Sequence, residues 1–179
     1  MRNLSYLILI SFFGWMFLLF SCNDPNKVVN LVNGRHFPDM DLEDVNGNEV
    51  KLSSIKNKII LVEFWASWCK PCRVKHPELN KIYDTYKDAS FNNADGFEIF
   101  YVDLDNKKKA WINAMEKDSI AHWKYHVADL VGMKKSEIPK TFQFEQIPTS
   151  YLIDSKGIII GKNYSEDRLF HELKFRLAK

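Results

Sequence analysis

Val62-Glu63-Phe64-Trp65-Ala66-Ser67-Trp68-Cys69-Lys70-Pro71-Cys72 decides how this chain reads. The apolar run Ile59-Ile60-Leu61-Val62 feeds into it and reads as a buried strand. A short aromatic turn follows, then two cysteines spaced C-x-x-C, then a pattern that suits a helix. Strand, turn, paired thiols and helix N-terminus, in that order, build a reactive dithiol.

Upstream, the chain opens with a positive start, Met1-Arg2-Asn3, and an almost wholly apolar run from Tyr6 to Phe20. Residues 1–21 have the layout of a secretory signal. Leu18-Leu19-Phe20-Ser21-Cys22 resembles the lipobox of bacterial lipoproteins, with Phe20 bulkier than that pattern favours. The resemblance implies lipid on Cys22. The alternative is an uncleaved anchor, although the apolar run is shorter than the ~20 residues of a spanning helix. Either reading places the domain outside the cytoplasm, in the cell envelope. Residues 22–34 are polar around Asp24-Pro25-Asn26 and read as a tether, which leaves 35–179 as the folded domain.

Composition fits this plan. The 179 residues are 46% hydrophobic and 27% charged, which suits one globular domain with something attached. A net charge of +2 calls for no nucleic acid, and Lys107-Lys108-Lys109 reads as a solvated face. There are three cysteines. With Cys22 lipidated, only Cys69 and Cys72 remain, and no structural disulfide framework is left.

The elements follow from pattern. Met40, Leu42, Val50 and Leu52 alternate about Asn46-Gly47 and predict a hairpin. Ser53-Ser54-Ile55 begins a short helical turn before the central strand, Lys58 to Phe64. A helix is expected from Pro71 to about Lys87, with Val74, Leu79, Ile82, Tyr83 and Tyr86 on its apolar stripe and a kink at Pro77. Phe97 to Asp103 reads as a strand and Asn106 to Asp118 as a helix with Trp111, Ala114 and Met115 inward. No element is assigned to His122–Val131. Ser136 is expected to cap a short helix with Pro139 in its first turn. Two short strands about Ser155-Lys156-Gly157 follow, and a last helix capped by Ser165 buries Leu169, Phe170, Leu173 and Leu177. Strands interleaved with helices predict an α/β fold with both sheet faces covered.

Phe64-Trp65-Ala66-Ser67-Trp68-Cys69-Lys70-Pro71-Cys72 together with the distant Ile147-Pro148-Thr149 resembles thioredoxin. The N-terminal hairpin, the insertion between about Asn106 and Gln146 and the lipoprotein-like start resemble the TlpA/ResA branch of membrane-tethered thiol-disulfide oxidoreductases. The resemblance covers about Arg35 to Lys179. It implies a central mixed sheet flanked by helices, with an N-terminal β-hairpin and a central helical insertion. It also implies disulfides of exported proteins as substrates, apocytochrome c (cytochrome c biogenesis) as one client, and a membrane electron donor of the CcdA/DsbD type. No cofactor and no metal are expected.

Cys69 falls at the helix N-terminus, where free N–H groups and the helix dipole favour a thiolate, and is assigned as nucleophile. Cys72, one turn in, is assigned to resolve the mixed disulfide. By resemblance, Glu63 stands where thioredoxin buries an aspartate, and takes the acid/base role with one extra methylene. The competing reading is a glutamate facing water at a strand edge. By resemblance too, Pro148 is cis and packs beside the dithiol, with Ile147 and Thr149 presenting backbone to substrate. Trp65 and Trp68 read as shielding, and Trp68 is also a candidate substrate contact. Pro71 resembles the thioredoxin C-G-P-C and leans toward reduction, while Lys70 pushes the other way.

His122 and His126, four apart, could share a helical face, and Cys69, Cys72 and His76 could be drawn as half a zinc site. The redox reading is preferred, with His76 and Lys75 only colouring the charge near the thiols. Two rival functions remain. One is a peroxidase of the peroxiredoxin type, for which Ala66 stands where a threonine is typical. The other is a redox-inert binding module.

Overall fold

The computed structural model describes residues 30–179 and arranges them about one seven-stranded sheet. The strands are β1 (Asp41–Asp44), β2 (Glu49–Lys51), β3 (Ile59–Trp65), β4 (Phe97–Asp103), β5 (Tyr125–Ala128), β6 (Thr149–Ile153) and β7 (Ile159–Lys162). Their order across the sheet is β2-β1-β5-β4-β3-β6-β7. β3 and β5 run parallel to β4, while β6 is antiparallel to β3 and β1 to β5. The helices are α1 (Lys70–Val74), α2 (His76–Tyr86), α3 (Lys108–Lys117), α4 (Ile138–Thr141) and α5 (Glu166–Arg176). This is a thioredoxin-like mixed α/β fold. The signal segment and Cys22 lie outside the described residues. No helix among the described residues is long and apolar enough to cross a membrane.

Every side chain of β3 is buried, as a strand covered on both faces requires. Alternation divides them. Ile59, Leu61 and Trp65 join one core with Cys69, Cys72, Leu79, Ile82 and Tyr101. Ile60, Val62 and Phe64 join the other, with Phe37, Phe100, Phe142 and Tyr151. Glu63, two residues from both Leu61 and Trp65, therefore faces the first core, the one that contains the thiols.

The structure amends or extends the sequence reading at several points. The long helix from Pro71 is two helices meeting at Lys75. Pro77 has no N–H to offer the Arg73 carbonyl, and the helical ladder lapses there. Val74 is 70% exposed, and His76 is the buried residue at this joint. The unassigned stretch holds β5, which lies between β1 and β4, so the hairpin joins the sheet through the insertion. The insertion is thus helix, strand, helix. Finally, the stretch read as tether already packs on the domain: Leu31 is buried and Gly34 N–H donates to the Ile159 carbonyl. At a smaller scale, Ser136 sits one residue before the N-cap of α4, accepting the Ile138 N–H and donating to Asp129.

Phe64 packs its ring 4.6 Å from that of Phe144 and 5.3 Å from that of Phe142. Phe64→Ala is expected to destabilise the fold by about 3–5 kcal/mol, and Val74→Ala to stay within about 0.5 kcal/mol. Urea denaturation of both variants checks this, and equal losses would contradict the burial pattern.

Candidate active site

The site begins where β3 ends. Leu104 N–H donates to the Trp65 carbonyl, and Cys69 N–H closes a turn onto the Ala66 carbonyl, both at 2.9 Å. Asp105, just past β4, grips that turn: its carboxylate accepts the Ser67 N–H at 2.7 Å and the Ser67 hydroxyl at 3.0 Å. Arg73 donates back to the Ser67 carbonyl at 3.3 Å. The turn thereby delivers Cys69 as the N-cap of α1, with extended backbone and its Sγ accepting the Cys72 N–H at 3.2 Å. Pro71, in the first turn, lacks only an N–H that would have no helical partner. Cys69 and Cys72 form a disulfide with Cα atoms 5.3 Å apart. Cys72 is fully buried and Cys69 nearly so.

Glu63 lies on a central strand, fully buried, not at an edge facing water. Its Oε1 accepts from Lys75 Nζ at 3.4 Å, and its Oε2 has no hydrogen-bond partner. Burial pushes its carboxyl above the usual range, against the pull of Lys75. Lys75 spans Glu63 and Glu166, the latter at 3.2 Å. Burial opposes the Lys75 charge, but the two carboxylates together raise it.

The Ile147–Pro148 peptide is cis. Phe64 pairs with Thr149 and Glu63 with Ser150, so Pro148 stands at the same end of the sheet as the turn carrying Cys69. Ile147 is half-buried, and Trp68 is 60% exposed. Thr149, expected to offer its backbone to substrate, turns its side chain inward. Its side chain is buried, and its hydroxyl donates to the Gln146 carbonyl at 2.7 Å, bracing the loop around Pro148.

Arg73, Asp118 and Tyr101, which sequence reading passed over, belong to the site's support, and they hold His76 in a role that reading did not foresee. Arg73 donates two hydrogen bonds to Asp118, at 2.7 and 2.6 Å. His76 lies between Asp118 (2.8 Å) and the Tyr101 hydroxyl (2.6 Å) and is wholly buried. Burial lowers the His76 pKa, which keeps it neutral at neutral pH. Nδ1–H then donates to the carboxylate and Nε2 accepts the phenol proton, which burial and nearby carboxylates hold firmly on Tyr101. His76 is thus a structural hub and not a surface charge. Arg73 and His76 stand three apart, one helical turn, which was the available signal for a shared face.

His126 sits on β5, its Nε2 donating to the Ile120 carbonyl, while His122 is exposed in the preceding loop. The two therefore do not share a helical face, which their spacing alone would have allowed. No cluster of metal-ligating side chains forms among the described residues.

Beside the turn, Asp103 is pushed up to about 9, first by burial and then by the charge of Asp105. It keeps its proton where the unfolded chain, at its ordinary 3.8, has lost it. Unfolding in that window releases a proton, so this group erodes stability as pH rises. Asp103→Asn is expected to be more stable than the parent at about pH 7, with the gap closing toward about pH 4. Denaturation across that range checks it; a gap that widens on acidification would contradict it.

Comparison with known proteins places this geometry among others. Residues 33–162 match the AhpC/TSA family. The chain is 32% identical over 133 residues to the thiol-disulfide oxidoreductase ResA of Bacillus cereus, across 74% of this chain and 70% of that protein. The crystal structure of the thioredoxin domain of a Bacteroides vulgatus thiol-disulfide oxidoreductase aligns with a TM-score of 0.71 at 29% identity, covering 82% of this chain and 98% of that one. A thiol:disulfide interchange protein from Bacteroides sp. aligns with a TM-score of 0.70 at 30% identity, covering 81% and 90%.

Proposed function

This chain belongs to the AhpC/TSA family and is a thiol-disulfide oxidoreductase of thioredoxin-like fold, and from that premise we propose that it reduces disulfides of exported proteins while tethered outside the cytoplasm by lipid on Cys22. The observation that carries the reading is a close cysteine pair at a helix N-terminus, on the sheet face where a buried carboxyl has one oxygen unpartnered.

In the reduced protein the Cys69 thiolate attacks one sulfur of a substrate disulfide. A mixed disulfide forms, and the other substrate sulfur leaves as a thiolate. Glu63 takes the Cys72 proton, the Cys72 thiolate attacks Cys69 Sγ, and the substrate departs as a dithiol. Two electrons have passed to substrate, and the protein is left with the Cys69–Cys72 disulfide. A membrane dithiol donor of the CcdA/DsbD type returns them. Apocytochrome c is one client that this chemistry would serve. Pro148 and Ile147 flank the substrate chain, and Trp68 offers it an exposed ring. Ala66 is buried and has no hydroxyl to hold a peroxide, which disfavours the peroxidase reading.

Cys69→Ser is expected to reduce insulin no faster than the uncatalysed control; a rate equal to the parent's would sink the proposal. Glu63→Gln is expected to slow the resolving step by about 10²-fold. The parent's step should quicken with pH as Glu63 ionises above its ordinary 4.5, and the variant should lose that rise. Stopped-flow measurement of mixed-disulfide decay distinguishes the two.

A further inference from the structure

An apolar groove of about 1230 Å³ opens beside the nucleophile, floored by Trp68, Leu130, Val131 and Phe144. Large hydrophobic side chains are exposed at six described positions, and three of these (Trp68, Leu130 and Val131) lie in this one groove. Such a concentration marks a docking surface. Trp68 directly precedes Cys69, so the groove adjoins the residue that carries the attacking sulfur.

The rim carries charge of one sign. Lys134, Lys135 and Lys140 line it, against the single acid Glu145. The whole chain carries only +2, so this is a local concentration. Neither Lys134 nor Lys135 pairs with a carboxylate among the described residues, and Lys140 meets Glu137 only at 3.8 Å, both highly exposed. The segment bearing the first two is fixed at several points. Met133 N–H donates to the Leu104 carbonyl, Lys135 and Ser136 N–H to the Gly132 carbonyl, and the Ser136 hydroxyl to Asp129. Gly132 takes φ +82 there, a conformation that suits glycine. The cations are therefore carried on a pinned loop.

We infer that this groove selects an extended polypeptide whose disulfide cysteine is flanked by apolar residues and, beyond them, by aspartate or glutamate. The inference rests on the reductase reading and names the substrate class for the same site. Apolar neighbours of the substrate cysteine fill the floor around Trp68, and the carboxylates meet the three lysines. Because the rim is solvated, its attraction acts chiefly on encounter and weakens with salt.

The test uses the pre-reduced protein, freed of reductant, and two synthetic peptides with the same internal disulfide and apolar neighbours, one flanked by glutamates and one by lysines. The second-order rate of protein oxidation is expected to be about tenfold higher for the acidic peptide at low salt, and the ratio to shrink in about 0.5 M salt. Changing Lys134, Lys135 and Lys140 together to Gln should abolish the preference, and changing them to Glu should invert it. The rate with neutral hydroxyethyl disulfide should stay at the parent's value in both variants, which also shows that they fold. Equal rates for the two peptides, or an acidic preference that survives the triple change, would overturn the inference and leave the reductase reading standing. Failure to react with hydroxyethyl disulfide at all would bring down both.

Discussion

The grip of Asp105 on Ser67 is the interaction on which the rest of the site depends. A strand buried on both faces must stop and hand its chain to a helix, and the groups freed at that junction need partners. One carboxylate satisfies both the N–H and the hydroxyl of Ser67, and Arg73 takes the Ser67 carbonyl from the other side. The three-residue turn between Trp65 and Cys69 is thereby fixed at both ends. Cys69 arrives as the N-cap of α1, with its sulfur aimed at the Cys72 N–H. Since Asp105 lies two residues past the end of β4, the parallel pairing of β3 with β4 sets the turn's position.

Beneath the turn, a set of polar groups is placed in an apolar core and paired with one another. Arg73, Asp118, His76 and Tyr101 form one chain of hydrogen bonds running inward from the helix surface. Arg73's hydrogen bonds hold Asp118 below the usual carboxylate range, so the neutral His76 faces a charged acceptor. Glu63 differs from this chain, because one of its oxygens is left without a hydrogen-bond partner. A buried polar atom in that condition costs about 1–3 kcal/mol. On the proposed mechanism, that oxygen is the one free to exchange a proton with Cys72. Lys75 steadies the other, and its second contact with Glu166 links the site to the C-terminal helix.

Sequence made the frame legible where local pattern and tertiary need agree. β4 occupies the stretch its apolar run predicts, and Asn46-Gly47 turns the hairpin with Gly47 at φ +82. β5 escaped because Tyr125 to Ala128 is a short strand with His126 at its centre, and it is a strand through its neighbours on either side. Val74 has an apolar side chain at an exposed position, while a histidine fills the core, so hydrophobicity alone assigned the wrong face. His76 is tolerated there because Asp118, 42 residues on, and Tyr101, 25 residues on, meet both its nitrogens. Partners so distant in sequence leave no local trace. The cysteines were legible because helix capping is local. Asp105 and the lysine rim were not, because their meaning comes from what the fold sets beside them.

The sign of the chemistry rests on the balance at Cys69-Lys70-Pro71-Cys72, where helix start and lysine favour the thiolate while the proline resembles a reductant's motif. Equilibrating the protein with defined glutathione mixtures and quantifying the Cys69/Cys72 pair measures that balance directly. A reductase should give a potential near about −270 mV, the range of thioredoxin. A value near about −120 mV, that of a strong disulfide donor, would contradict the account.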